Sequence, residues 1–206
     1  IPAGKFKVGQ AVLVSDRANA QGFSEYVYKA PEALIPVPSA DPKYLVSLVN
    51  GLTAAIALDK AGRVQKGDKV LVTAAAGGTG QIVVQWAKQR GAYVIGLTST
   101  SAKAEYLKTI GADYVINYRE QDLDKVLTEQ FPEGVDVIWE TIGGATFKTL
   151  FNHLGKKGRV VIIGSIQSYK GDGLRGVEIP DLNTRLLMKS QSLNGFVLFD
   201  WAAESP

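Results

Sequence analysis

Lys69-Val70-Leu71-Val72-Thr73-Ala74-Ala75-Ala76-Gly77-Gly78-Thr79-Gly80 is the stretch that decides the fold. It opens with a continuous run of β-branched and apolar residues, as expected of a strand buried on both faces. Beyond it the period changes: Ile82, Val83, Trp86 and Ala87 return to one face of a helix running from Gly78 to Arg90, and Gly91 supplies the stop. Between strand and helix, Ala75 to Gly80 occupies the frame G-x-G-x-x-G with alanine at its first position. Glycine at 77 lets the main chain approach a pyrophosphate, glycine at 80 lets the helix sit close to the sheet, and unpaired amides at the helix N-terminus attract the anion. Ala76, Gly77, Gly78, Thr79 and Gly80 are therefore candidate dinucleotide-binding residues. A Walker-type phosphate loop needs lysine beside the last glycine, where this chain has Gln81. Any strand-to-helix turn can use glycine for a positive φ, so the frame gains its meaning from what surrounds it.

The same strand-helix unit recurs along the chain. Ala92 to Leu97 reads as a strand, Ser101 to Ile110 as a helix ending at Gly111, and Tyr114 to Ile116 as a third strand. Asp122 to Gln130 continues as helix, Val135 to Glu140 as strand, Ala145 to Leu154 as helix and Arg159 to Gly164 as strand. After a glycine-rich loop, Asp181 to Lys189 reads as helix and Leu193 to Phe199 as the sixth strand. This alternation predicts an α/β fold, a doubly wound six-stranded parallel sheet of Rossmann type. Residues 1–45 break the rhythm. Ala11 to Ser15 and Phe23 to Tyr28 read as short strands, Pro31, Pro36, Pro38 and Pro42 interrupt pairing, and Asp41 caps a helix that starts at Pro42. The expected division is thus the tail of a β-rich domain over 1–45 and a dinucleotide-binding domain over 46–206.

Composition narrows the chemistry. A chain of 206 residues with 46% hydrophobic content buries a substantial core. Its net charge of +3 is spread over both signs, and its one basic cluster, Lys156, Lys157 and Arg159, reads as a solvated turn, so no nucleic-acid partner is expected. Cysteine is absent and histidine occurs once, at His153 near a helix end, so the chain offers no thiolate or H-E-x-x-H zinc set. The lack of cysteine also suits a reducing compartment, here read as the cytoplasm, with mitochondrion or peroxisome as alternatives. No apolar run approaches the roughly 18 residues that span a bilayer, so no membrane partner is expected. The chain starts at Ile1 in place of Met, which leaves targeting segments unread.

The stretch after the second strand bears on the cofactor. NAD-binding folds place a carboxylate about 20 residues beyond the glycine frame to accept from the ribose 2′-hydroxyl. Here that stretch reads Gly96-Leu97-Thr98-Ser99-Thr100-Ser101-Ala102-Lys103, which contains hydroxyls and a lysine but no acid. Ser99 and Lys103 suit a 2′-phosphate, and NADPH is the expected cofactor. The same residues also read as a helix cap at Ser101 and a solvated lysine, and the two roles coexist.

Four ordered stretches carry a resemblance: Val49 to Ala55, Val72 to Gln81, Ile116-Asn117-Tyr118 and Val135 to Ile138. Together they resemble the quinone oxidoreductases and prostaglandin reductases of the zinc-independent medium-chain dehydrogenase/reductase family. Gly134 to Gly144 and Gly158 to Gly171 look most like the prostaglandin reductase-3, zinc-binding-domain-containing type. The resemblance implies that residues 1–45 end a GroES-like domain. It also implies that a complete member carries further residues ahead of Ile1 and beyond Pro206. It places Thr53 and Asn50 beside the nicotinamide, Lys103 and Tyr118 on the adenosine phosphate, and Ile142, Gly164, Ser165 and Ile166 along ribose and nicotinamide. Phe196 and Val197 follow at the end of the sixth strand. Tyr169 is the implied catalytic donor, although an exposed loop aromatic is the other reading of that residue.

The function these features imply is reduction of an activated alkene, such as an enone or 15-keto prostaglandin, or of a quinone, with NADPH as hydride source and a small molecule as partner. The alternative is a dinucleotide-binding protein without turnover, because fold alone does not separate the two. No tyrosine is followed four residues later by lysine, and no G-x-S-x-G elbow occurs, so short-chain dehydrogenase and hydrolase chemistry find no residues here. The apolar sixth strand lies at a sheet edge and is expected to pair in a homodimer.

Overall fold

A computed structural model describes residues 6–16, 21–169 and 177–201. The chain divides into two compact units, Ile1–Val49 and Asn50–Pro206.

In the first unit β1 (Val12–Val14) pairs antiparallel with β2 (Leu34–Pro36). The run Phe23 to Tyr28, expected as a strand, is irregular. Its aromatic rings at Phe23, Tyr26 and Tyr28 stay exposed, so the run has no buried face to favour a strand. Helix α1 (Pro42–Val46) begins as the sequence predicts, with the Asp41 carboxylate accepting from the Lys43 amide at 2.9 Å and proline in the first turn.

The second unit is built on a six-stranded sheet in the order β5-β4-β3-β6-β7-β8. The strands are β3 (Lys69–Val72), β4 (Tyr93–Thr98), β5 (Tyr114–Asn117), β6 (Val135–Glu140), β7 (Leu154–Ile162) and β8 (Ser192–Gly195). Every neighbouring pair in it is parallel. The helices are α2 (Leu52–Ile56), α3 (Gly80–Gln89), α4 (Ser101–Thr109), α5 (Leu123–Gln130), α6 (Gly144–Asn152), α7 (Leu182–Lys189) and the short α8 (Leu198–Trp201). This is the doubly wound architecture expected from the sequence.

Alternation along each strand explains the two layers. Val70, Val72, Val94, Val137 and Trp139 face one cluster with α2, α3 and α4, whereas Leu71, Ile95, Ile116 and Ile138 face another with α5 and α6. Both faces are apolar because both are covered, as a parallel sheet requires. Buried polar residues sit mainly where strands end: Thr73, Thr98, Asn117 and Glu140 lie at or next to the carboxyl ends of β3, β4, β5 and β6.

Three boundaries differ from expectation. β7 starts at Leu154 and its register against β6 shifts between Val135 and Val137, so Gly155-Lys156-Lys157-Gly158 bulges before regular pairing resumes at Arg159. Lys156 and Lys157 are exposed, with Lys157 at a φ of 60°, but the cluster lies within β7 and Arg159 is not solvated: its guanidinium donates to Asp68 and, at 2.8 Å, to the Gly62 carbonyl. β8 stops at Gly195: Phe196 turns inward, stacks on Trp201 with centroids 6.0 Å apart, and opens into α8 where a strand through Phe199 was expected. The cap of α4 is the Thr100 hydroxyl, which accepts from the Lys103 amide, while Ser101 donates to Glu120 at 2.9 Å. The glycine-rich end of the Gly158 to Gly171 stretch lies outside the described residues.

Candidate functional site

The sheet order brings β3 and β6 side by side and sends the chain from them in opposite directions, which opens a crevice at their carboxyl ends. Next to that crevice the turn from β3 into α3 is tightly built. A side chain at residue 80 would overlap the carbonyl oxygens of Ala74 and Ala75, so only glycine lets α3 sit this close to the strand. The Gly77 amide donates to the Ala74 carbonyl at 2.8 Å, and the amides of Gln81 and Ile82 donate to the Gly77 and Thr79 carbonyls. The amides of Gly78, Thr79 and Gly80 donate to no described residue, as expected for the first turn of a helix.

Around this turn runs a groove of about 220 Å³ lined by Ala74, Ala76, Gly77, Leu97, Thr98, Ser99, Lys103, Tyr118, Ile142, Thr146 and Gln167. Six expected site residues thus meet in one place: Ala76, Gly77, Ser99, Lys103, Tyr118 and Ile142. No carboxylate is among the lining residues. Asn50 braces the turn from outside, its side-chain oxygen accepting from the Thr79 hydroxyl at 3.0 Å. A second groove, about 460 Å³, is lined by residues that include Gly164, Ser165, Tyr169, Phe196 and Val197. Ile166 lies between the two and is exposed, with its amide donating to the Thr141 carbonyl at 3.0 Å. Thr53 is buried on α2 and lines neither groove.

Glu140 is the residue that sequence reasoning missed. It ends β6, is 1% exposed, and its Oε1 accepts from the amides of Ile142 at 2.5 Å and Gly143 at 2.6 Å. Its Oε2 is buried and has no hydrogen-bond partner among the described residues. Burial pushes the carboxyl up to about 7, against the opposing pull of the Gly143 and Ile142 amides. A pocket of about 230 Å³ adjoins it, lined also by Gly143, Gly144, Phe147, Ile162, Gly164, Ser165 and Val177. The signal in the sequence was an acid directly after the apolar run Val137-Ile138-Trp139 and shortly ahead of the Gly143-Gly144 pair.

A sequence model of the zinc-binding dehydrogenases matches residues 78–205. The chain belongs to the zinc-binding dehydrogenase family. It is 45% identical over 197 residues to prostaglandin reductase-3 of Mus musculus, covering 95% of this chain and 52% of that protein. It is 51% identical over 180 residues to a probable quinone oxidoreductase of Leishmania amazonensis, covering 85% of this chain and 53% of that protein. Among solved structures, CurA of Vibrio vulnificus in complex with NADPH superposes with a TM-score of 0.73 at 27% identity, covering 83% of this chain and 53% of that one. The chain spans about half the length of the curated relatives it matches.

The name of the zinc-binding dehydrogenase family raises the question of a metal. Among the described residues no three His, Cys, Asp or Glu side chains gather into a coordinating set. The single histidine, His153, caps α6 and its Nε2 shares a hydrogen bond with Asp124 at 2.7 Å. The described side chains do not fit a zinc ion.

The raised Glu140 carboxyl has a consequence for stability. An acid ordinarily near 4.5 and held near 7 in the fold keeps its proton in the native state after the unfolded chain has lost it, so native stability falls as pH rises between those values. Relative to Glu140→Gln, the wild-type chain is expected to lose up to about 3 kcal/mol across that window. Urea midpoints measured at several pH values check this; parallel curves for the two proteins would refute it.

Proposed function

We propose that this chain is the cofactor-binding part of an NADPH-dependent reductase that acts on activated alkenes or quinones without a metal ion. The observation that carries the reading is the groove at the β3–β6 crevice, where Ala76 and Gly77 of the glycine turn meet Ser99, Lys103 and Tyr118 and no carboxylate lines the wall. The amides of Gly78, Thr79 and Gly80 suit a diphosphate, and Lys103 suits a 2′-phosphate in a groove that no carboxylate lines, the Glu120 carboxylate nearby being engaged by the Ser101 hydroxyl. Tyr118 adds a hydroxyl and an aromatic face at that end of the groove. The names of relatives support the substrate class: they include (+)-pulegone reductase of Mentha piperita and an NADP-dependent 2-alkenal reductase of Nicotiana tabacum.

NADPH, when bound, supplies a hydride to the β-carbon of the alkene or to the quinone. The task of this chain is to hold it in line. Ile142, Gly164, Ser165 and Ile166 border the nicotinamide in this reading, with Phe196 and Val197 beyond them and Asn50 and Thr53 behind. Tyr169, 64% exposed on the loop after β7, is assigned as the donor that delivers a proton to the enolate oxygen left by hydride addition. We read residues 1–45 as the end of a β-rich, GroES-like domain. β8, at the open edge of the sheet, is the strand we expect to pair in a homodimer. A chain without cysteine suits the cytoplasm.

Steady NADPH consumption by the complete protein with an enone, a 15-keto prostaglandin or a quinone is the expected result; tight binding without consumption would leave a binding protein in place of an enzyme. Lys103→Ala is expected to weaken NADPH about tenfold and NADH little, since a hydrogen bond to a charged group is worth about 1.5 kcal/mol or more. Equal weakening of both would remove the 2′-phosphate contact. Tyr169→Phe is expected to lower turnover with a saturating enone, and unchanged turnover would take Tyr169 out of the mechanism. A monomeric mass in dilute solution would count against pairing through β8.

A further inference from the structure

Glu140 does more than end a strand. The two amides it receives belong to the turn that carries Ile142 into the groove, and they converge on a single oxygen, an arrangement that favours an anion. That turn is also locked from the other side. Gly143 and Gly144 have φ of 77° and 57°, and a side chain on either would overlap Ser165 or Gln167 of the loop after β7. The Gln167 amide in turn donates to the Ile142 carbonyl at 2.9 Å. The groove wall made by Ile142 and Gln167 therefore rests on one buried carboxylate whose second oxygen has no hydrogen-bond partner among the described residues.

Resting on the NADPH reading above, we propose that Glu140 is a positioning residue for the dinucleotide: by holding the Ile142–Gly143 turn against the β7 loop it shapes the nicotinamide half of the groove and leaves the adenosine half untouched. The adenosine half depends on Ser99, Lys103 and Tyr118, which lie on other connections. A neutral side chain at 140 keeps an acceptor in place but loosens the turn.

The test compares wild type with Glu140→Gln by calorimetric titration above neutral pH, using NADPH and its adenosine-side fragment, 2′-phospho-ADP-ribose. NADPH is expected to bind the variant about tenfold more weakly, the equivalent of about 1.4 kcal/mol, while the fragment stays within about twofold. Unchanged NADPH affinity, or equal loss of both ligands, overturns the proposal, because a general packing role would weaken both alike. Gly143→Ala presses on the same turn from the Ser165 side and is expected to show the same selective loss; it decides the matter if Glu140→Gln does not fold. Wild type that binds neither ligand would overturn the NADPH reading, and this inference with it.

Discussion

The contact between the end of β3 and the start of α3 constrains everything around it. Residue 80 has no room for a side chain, because the carbonyls of Ala74 and Ala75 occupy the space a Cβ would need. That closeness aims the first amides of α3 at the carboxyl edge of the sheet, in place of solvent beside it. Those amides cannot be satisfied within the helix, so the fold creates a demand for negative charge at the point where β3 and β6 diverge. The remaining features of the rim answer that demand. Lys103 is brought to the groove by α4, whose own start is fixed by the Thr100 cap, and Asn50 holds Thr79 in position.

Much of this was legible in the sequence because it depends on local period and on glycine. The strand-turn-helix over 69–90, the paired layers and five of the six strands follow from residues that alternate every two or recur every three to four. The groove residues Ser99 and Tyr118 were legible because each stands just after a strand, and Lys103 because it lies in the first turn of the helix that follows; the ends of parallel strands share one rim.

What was not legible has physical causes. Phe23 to Tyr28 reads as a short strand from its aromatic and β-branched residues, but such residues confer a strand only where one face is buried, and these aromatic rings are exposed. Leu193 to Phe199 reads as one strand, yet Phe196 packs inward and stacks on Trp201, five residues on, as the chain turns into α8. Thr100 and Ser101 are equally good caps by type; the choice falls to Thr100 because Ser101 finds Glu120, which is distant in sequence. Thr146 and Gln167 line the groove from a helix and a loop that the glycine frame gives no reason to inspect.

Glu140 was hidden for a different reason. A carboxyl at the end of an apolar strand normally reads as the point where the chain reaches water, since charged groups are seldom buried. Here it is enclosed, and the turn after β6 aims two successive amides at its Oε1. Leaving both amides bare would destabilise the turn by about 1–3 kcal/mol each, comparable to the penalty of desolvating the acid. The balance between those penalties is close, which is why the carboxyl sits near 7 and is neither a firmly ionised anion nor a permanently neutral acid. A residue so balanced responds to small changes in its surroundings, and its surroundings are the wall of the groove.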